Sequence, residues 1–199
     1  MRLIFFILVL FQISCSVSKD PRRREVRQLQ RGKITEDTSR VYALPFKSGK
    51  SHLVVQGYFS RLSHKNRIAI DFKMKKRTAV LAARDGVVVR MKEDGNKGGW
   101  SKKYLKDGNF IVIQHSDNSR SGYWHLKKNG VLVNLGDSVK RGQVIGLSGN
   151  TGYTAFPHLH FMVWGYNEKG QWQQIPGRFQ TSKGIKYLRP FHFYRSKDE

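Results

Sequence analysis

The sequence contains a single cysteine, Cys15, among its 199 residues. Because Cys15 directly follows a short N-terminal apolar run, the domain beyond it contains no disulfide. Proline is scarce as well, with five residues against 19 glycines, a balance typical of many turns between short strands. Acidic residues are few: 14 Asp and Glu oppose 37 Lys and Arg, and the formal charge is +23. Because Cys15 has no second cysteine in the chain to pair with, a fold held together by disulfides is excluded.

The positive charge favours polyanionic partners through long-range attraction that weakens as salt is added. Nucleic acid, anionic lipid, lipopolysaccharide and anionic cell-wall polymers all meet this description. Exposed lysines also keep a protein soluble without any specific partner. The charge alone therefore leaves the partner open.

A long hydrophobic run is also missing from the N-terminus. The apolar run at residues 3–11 is too short to span a bilayer, and residues 1–18 are predicted to be a secretion signal. Cys15 is placed like the lipid-modified first residue of a bacterial lipoprotein, whereas Gln12 stands where such signals usually carry an aliphatic residue. We expect an exported protein that is periplasmic, secreted or anchored to the membrane through a lipid on Cys15.

Two further regions follow the signal. Residues 19–40 are rich in charge and poor in apolar groups, which predicts a flexible basic linker, either a tether to an anionic surface or a solvated spacer. The overall content of 39% hydrophobic and 12% aromatic residues indicates a globular protein, and we expect its domain at 41–199. From about residue 172 the chain is a basic, aromatic extension, for which we expect partial packing on the domain.

Short β-type segments separated by turns fill the domain. They are found at residues 68–72, 79–83, 87–91, 110–115, 122–126 and 141–146. Two glycine-containing loops, 93–107 and 149–156, are expected at the rim of a site. No helical period of useful length is found in this core. The predicted fold class is all-β, an antiparallel β-sandwich.

His158 and His160 stand two apart inside an apolar and aromatic run. Side chains alternate along a strand, so both imidazoles point to one face while Leu159 and Phe161 point into a core. Two imidazoles side by side on a stiff strand can share one metal-centred site. The same pattern also fits a sheet face that carries two solvated histidines.

Other residues could complete a metal site. A catalytic zinc needs three protein ligands and one open position. Asp71 lies in an apolar strand, where a carboxylate is costly unless it meets a metal or a cation such as Lys or Arg. His64 precedes it and is a possible second donor. His125 is either a further imidazole of the site or a partly buried histidine bonded to the backbone.

Four segments together resemble the lysostaphin-type (LytM-type) zinc endopeptidases, which cut peptidoglycan peptides. The segments are 64–71 with its His and Asp, 78–88, the Tyr-x-His-Leu of 123–126, and 136–161 with Gly-Asp-x-Val-x-x-Gly-Gln-x-Ile-Gly and Pro-His-Leu-His-Phe. The resemblance covers residues 58–164. It implies a lysostaphin-type fold and a zinc metalloendopeptidase that hydrolyses peptide cross-links through a metal-activated water.

The resemblance also implies roles for individual residues. His64, Asp71 and His160 would hold one Zn²⁺. His125 and His158 would lie just outside the coordination shell, where they polarise water and stabilise the oxyanion. Which of these two histidines acts as the general base stays open.

The sequence departs from the family pattern at the first ligand. Many members place the first His four residues before the Asp, whereas His64 lies seven residues before Asp71. Asn66 or Arg67 stands where the pattern has a glycine. This departure leaves His52, far upstream, as an alternative first ligand.

Two other functions compete with a peptidase. A non-catalytic relative could bind cell wall or activate another hydrolase, but such relatives lose metal ligands and here every ligand position is filled. A basic nucleic-acid binder could stack bases on Tyr and Trp; a secretion signal and an ordered metal motif argue against it. Peptidoglycan is therefore the expected partner, with anionic envelope polymers as a further one. Nucleic acid is not expected, and the membrane only through a lipid anchor at Cys15.

Overall fold

The computed structural model describes residues 19–34 and 40–197. The predicted secretion signal at 1–18 and its Cys15 lie outside the described residues. Within the described ranges, no helix combines the length and the apolar character that crossing a membrane requires.

Short strands supply most of the regular secondary structure of the described chain, which confirms the all-β prediction. The elements are α1 (Arg22–Gln30), β1 (Val41–Ala43), β2 (Ser51–Gln56), β3 (Ala69–Lys73), β4 (Ala79–Leu81), β5 (Gly86–Lys92), β6 (Gly98–Gly99), a 3₁₀ helix (Lys102–Asp107), β7 (Phe110–Gln114), β8 (Arg120–Trp124), β9 (Leu126–Val131), β10 (Ser138–Val139), β11 (Val144–Ser148), β12 (Gly152–Tyr153), β13 (His158–Tyr166), β14 (Trp172–Gln174), β15 (Arg178–Thr181), β16 (Gly184–Lys186) and β17 (Phe193–Arg195).

One large sheet dominates the fold. Its strands follow the order β10-β5-β7-β8-β13-β3-β2-β17, β14 also pairs with β13, and every pairing is antiparallel. Two three-stranded sheets, β4-β11-β9 and β1-β15-β16, accompany it together with the short pair β12-β6. Among the described strands, parallel pairing is limited to β1 with β15 and β6 with β12.

The core lies on one face of the large sheet. Along β13, Leu159, Phe161 and Val163 are 0%, 1% and 2% exposed, as the alternation of strand side chains predicts. Phe161 packs edge-on against Tyr123, with ring centroids 5.2 Å apart, and against Phe179 at 5.5 Å. Buried residues of the large sheet and of both three-stranded sheets form one hydrophobic cluster. The opposite face of β13 is therefore left to carry the histidines.

Residues 19–34 are not the flexible linker that their composition predicts. They contain α1, whose Val26 and Leu29 lie three residues apart on one face and are both 3% exposed. Arg22 at the start of the helix donates from Nη1 to the carbonyl oxygen of Gln174 at 3.2 Å. The prediction failed because charged residues outnumber these two apolar ones, while burial of a two-residue stripe is enough to dock a helix whose other face stays in water.

The C-terminal extension also packs more fully than the sequence predicts. It forms four strands, of which β14 pairs with β13 and β17 pairs with β2 at the end of the large sheet. Phe179 and Leu188 are fully buried within it. The extension is therefore part of the domain and widens the sheet that carries the site.

Candidate metal centre

Strand pairing places Asp71 next to His160. In the antiparallel pair of β3 and β13 these two residues stand directly opposite each other, where side chains on one face lie in contact distance. His160 Nδ1 is 2.7 Å from Asp71 Oδ1. Because Ile70 and Phe72 point into the core, the carboxylate emerges on the same face as His160.

His64 reaches this pair from the loop between β2 and β3. Its ring is fully buried, and its Nδ1–H donates to the carbonyl oxygen of Gly57 at 3.1 Å. The other ring nitrogen, Nε2, therefore faces the pair, 3.2 Å from His160 Nδ1 and 3.2 Å from Asp71 Oδ2. The loop accommodates the seven-residue gap to Asp71. His52, the alternative first ligand, instead bonds the Lys73 carbonyl oxygen at 2.8 Å and stands outside both candidate metal clusters of the described residues.

The three side chains fit a bound cation. One ligand atom from each of His64, Asp71 and His160 lies within 4.8 Å of the others. With the proton of His64 on Nδ1, its bare Nε2 points at a carboxylate and at another imidazole nitrogen, an arrangement that a cation stabilises. His160 Nε2, on the far side of its ring, is buried and has no hydrogen-bond partner among the described residues. Two imidazoles and one carboxylate are a donor set that catalytic zinc sites use.

The electrostatics of Asp71 agree with this arrangement. Burial disfavours the carboxylate, but its interactions with the imidazoles of His64 and His160 outweigh burial and hold the pKa of Asp71 well below its ordinary value. Burial lowers the pKa of His160 to about 4, against the opposing attraction of Asp71. The carboxylate is thus ionised and the imidazole neutral at physiological pH, as metal ligands must be.

Gln56 supports the carboxylate, and sequence reasoning missed it. Its Nε2 donates to Asp71 Oδ2 at 2.8 Å and to Ser63 Oγ at 2.9 Å, and its Oε1 accepts from the Ser63 backbone N–H at 3.1 Å. A register shift in the pairing of β2 and β3 between Val54 and Gln56 places Gln56 opposite Asp71. A polar residue directly after the apolar run 53–55 was the only signal in the sequence.

His125 is held beside the three side chains by a strained backbone. Its φ is +64°, in the left-handed region that non-glycine residues rarely adopt. Its Nδ1–H donates to the carbonyl oxygen of Thr151 at 2.7 Å. Burial, reinforced by repulsion from His158 and His160, lowers the pKa of His125 to about 3. The imidazole is therefore neutral near pH 7, with its proton on Nδ1 and none on Nε2.

His158 is also held through a hydrogen bond from its ring to a backbone carbonyl. Its Nδ1–H donates to the carbonyl oxygen of Phe156 at 2.8 Å, and its Nε2 lies 3.7 Å from Asp71 Oδ1. The rings of His158 and His125 have centroids 4.6 Å apart. Ligand atoms of His125, His158 and His160 also lie within 4.8 Å of one another. The structure therefore brings all five predicted site residues together.

A cleft of about 490 Å³ opens over these side chains. Its rim includes Trp100 and Leu105 from one of the two predicted rim loops, and Tyr153 and Phe156 from the other. Trp100 and Leu105 are 63% and 58% exposed. An apolar rim above a polar floor suits an extended chain that presents one polar group to the floor.

The fold and the site define a β-sheet protein with a candidate metal centre on the open face of its large sheet. Residues 65–173 match the model of peptidase family M23. The match covers more than half of the chain, and the protein belongs to this family. It begins one residue after His64, so the placement of His64 rests on the geometry described above.

Individual relatives agree with the family match. The chain is 42% identical over 108 residues to an uncharacterized metalloprotease of Buchnera aphidicola, and 43% identical over 91 residues to the peptidoglycan DD-endopeptidase ShyA of Vibrio cholerae. These alignments cover 53% and 46% of this chain but only 26% and 18% of the relatives. Among solved structures, the catalytic domain of lysostaphin from Staphylococcus simulans aligns with 63% of this chain and 87% of its own at 32% identity, with a TM-score of 0.44.

Proposed function

We propose that the protein is a zinc-dependent endopeptidase that hydrolyses peptide cross-links of bacterial peptidoglycan. The observation that carries the proposal is the convergence of His64, Asp71 and His160, since ligand atoms of all three lie within 4.8 Å of one another. Membership of a peptidase family, and similarity to a relative named as a peptidoglycan DD-endopeptidase, support the substrate class.

In this proposal His64, through Nε2, Asp71, and His160, through Nδ1, would hold one Zn²⁺. When bound, zinc supplies a Lewis acid that lowers the pKa of a water ligand from about 15.7 to about 7. Gln56 holds Asp71 through Oδ2, and the Gly57 carbonyl fixes the tautomer of His64. These outer contacts orient the ligands, which is the usual work of groups surrounding a metal site.

His125 and His158 carry the proton chemistry. Each donates its Nδ1–H to a backbone carbonyl oxygen, so each Nε2 can take a proton from the attacking water and return it to the leaving amine. Once protonated, or as a donor to the substrate, either ring also stabilises the oxyanion of the tetrahedral intermediate. The substrate peptide lies in the cleft, and the apolar rim residues limit the access of other water.

Peptidoglycan lies outside the cytoplasm, so the proposal includes export through residues 1–18, with Cys15 as a possible lipid attachment site. The net charge of +23 would concentrate the enzyme at anionic envelope polymers. Loss of cell-wall binding as salt is raised tests that part of the proposal.

The central experiment is mass spectrometry of fragments released from purified peptidoglycans with different cross-link types. We expect peptide-bond cleavage that a chelator abolishes and added zinc restores. His160→Ala should abolish cleavage, whereas His192→Ala, at an exposed histidine near the C-terminus, should not. Wall binding without cleavage by a metal-free wild-type protein would instead favour a non-catalytic wall-binding or hydrolase-activating protein.

A further inference from the structure

The sheet face that carries the candidate metal centre continues into a surface rich in tryptophan. Beyond His160, the next side chains of β13 on the same face are Met162, Trp164 and Tyr166. The neighbouring strands add more aromatic rings to this surface. We call it the aromatic platform; its members are Phe110, Trp124, Trp164, Tyr166 and Trp172.

The rings of the platform form two contacting groups. Phe110 stacks on Trp124 with centroids 6.0 Å apart, and Trp124 meets Trp164 at 5.4 Å. At the outer end, Tyr166 and Trp172 lie 5.1 Å apart and remain 53% and 41% exposed. A shallow depression of about 280 Å³ lies over Trp124, Trp164 and Trp172. Since Phe110 and Trp124 also line the cleft of the metal centre, the platform and the cleft are continuous.

Gly122 shows that the platform is built into the sheet. A Cβ atom at this position of β8 would lie 2.2 Å from the Trp124 ring and 3.0 Å from the Trp164 ring. Glycine weakens the interior of a strand and commonly marks a close approach. Here it lets two indole rings lie over the backbone of β8 and so keeps the platform low and open.

Two arginines border the platform. The Arg90 guanidinium lies 5.5 Å from the centroid of the Phe110 ring, and that of Arg120 lies 5.4 Å from Trp172. Arg120 is fixed by Gln114 Oε1, which accepts from its Nε at 3.1 Å and its Nη2 at 3.0 Å. The platform therefore offers flat π faces with hydrogen-bond donors at the edge.

We propose that the aromatic platform binds the sugar rings of the glycan strand to which the substrate peptide is attached. The apolar C–H face of a pyranose packs on the negative π face of an aromatic ring, while arginines at the edge bond its hydroxyl and carboxylate oxygens. This inference rests on the proposed function, because peptidoglycan joins each peptide covalently to a sugar.

The distance from the metal centre suits this substrate. Trp164 lies four positions after His160 on β13, a span of about 13 Å. An extended peptide of about four residues covers the same length. A peptide held at the metal centre therefore delivers its sugar to the platform.

The test is binding of peptide-free glycan strands, prepared from peptidoglycan by enzymatic removal of its peptides. Strands without a peptide cannot be cleaved, and a chelator is kept present, so binding is measured apart from activity by calorimetry. The variant is Trp164→Ala combined with Trp172→Ala. The control is Phe193→Ala, which removes a more exposed aromatic ring, on β17 and outside the platform. Thermal unfolding and circular dichroism verify that both proteins are folded.

We expect the wild type and Phe193→Ala to bind the strands with equal affinity. The double variant should bind at least about tenfold more weakly, because it has lost two stacking rings. The inference is overturned if the wild type does not bind, or if the double variant binds as the wild type does. It is also overturned if single-stranded DNA binds more tightly than glycan with the same tryptophan dependence. Glycan binding by a protein that cleaves no cross-link would overturn the proposed function alone; cleavage without glycan binding would overturn this inference alone.

Discussion

Gln56 Nε2 lies 2.8 Å from Asp71 Oδ2 and donates a hydrogen bond to it. The same nitrogen donates to Ser63 Oγ at 2.9 Å, so one amide joins the carboxylate of the candidate metal centre to the loop that carries His64. Gln56 is 8% exposed, and water therefore replaces it poorly. The relationship suggests that Gln56 positions the ligands without binding the metal itself.

Gln56→Leu is expected to weaken zinc binding about 10- to 100-fold, the usual cost of removing a hydrogen-bond partner of a metal ligand. Competition titration against a chromophoric chelator measures the change. Gln171→Leu is the control, because Gln171 is exposed on the turn after β13. Equal zinc affinity of Gln56→Leu and the wild type would show that Asp71 needs no support from the amide.

The identity of the first ligand is tested by a pair of histidine variants. His64→Ala is expected to lose bound zinc, because His64 Nε2 lies 3.2 Å from both His160 Nδ1 and Asp71 Oδ2. His52→Ala is expected to keep it, because His52 bonds the Lys73 carbonyl oxygen instead. Native mass spectrometry of the zinc-loaded proteins gives the stoichiometry. Retention of zinc by His64→Ala together with its loss from His52→Ala would reverse the assignment.

A comparison of alanine variants at Gly152 and Gly136 distinguishes the effect of backbone strain from that of a steric clash near His125. Both have positive φ, +84° and +89°, but a Cβ on Gly152 would lie 2.7 Å from the Gly108 Cα, whereas one on Gly136 would meet nothing within 4 Å. Gly136→Ala should therefore lower the free energy of unfolding by about 1–2 kcal/mol through strain alone.

Gly152→Ala should cost more. It should also reduce cross-link cleavage, because relief of the 2.7 Å contact with Gly108 shifts the chain beside Thr151, whose carbonyl oxygen accepts from His125 Nδ1–H. Urea unfolding and the cleavage assay measure the two effects. If the two variants lost the same free energy of unfolding and cleaved cross-links at the same rate, the close approach at Gly152 would not contribute to activity.

Asp117 is expected to make the stability of the fold fall as the pH becomes acidic. Burial opposes its charge, but hydrogen bonds from Arg84 Nη1 at 2.8 Å and from Ser119 outweigh burial and lower its pKa from the ordinary 3.8. A carboxylate with a lowered pKa in the folded state stabilises the fold above the unfolded-state pKa and loses this contribution as pH falls.

The Tm of Asp117→Asn should therefore lie below that of the wild type at pH 7, and the gap should narrow as the pH is lowered through about 4 and beyond. Glu168→Gln, at an exposed position, serves as the control and should show no such gap. A gap that stayed constant from pH 7 to pH 3 would mean that Asp117 acts through packing and not through its charge.

The sequence predicts well what depends on the alternation of a single strand. The period of two along β13 places His158 and His160 on one face and Leu159 and Phe161 in the core, and the structure confirms this. Identification of the family likewise followed from ordered short motifs.

Features that depend on contacts between distant strands were not predictable in the same way. Gln56 faces Asp71 only because of a register shift between β2 and β3, and no local pattern encodes such a shift. Gly122 was predicted only as the first residue of the β-type segment 122–126, and its close packing depends on two indoles from β8 and β13. Helix α1 was missed because Val26 and Leu29 stabilise it only through their burial against the rest of the domain.

Strand β13 carries both His160 and Trp164 on a single face. The distance along this strand between the candidate metal centre and the aromatic platform can therefore change only in steps of two residues, about 7 Å each. Inserting one residue between them would turn either the tryptophan or the histidine toward the interior. A relative that serves a longer or shorter peptide must therefore gain or lose residues here in pairs, or else move its aromatic rings to another strand.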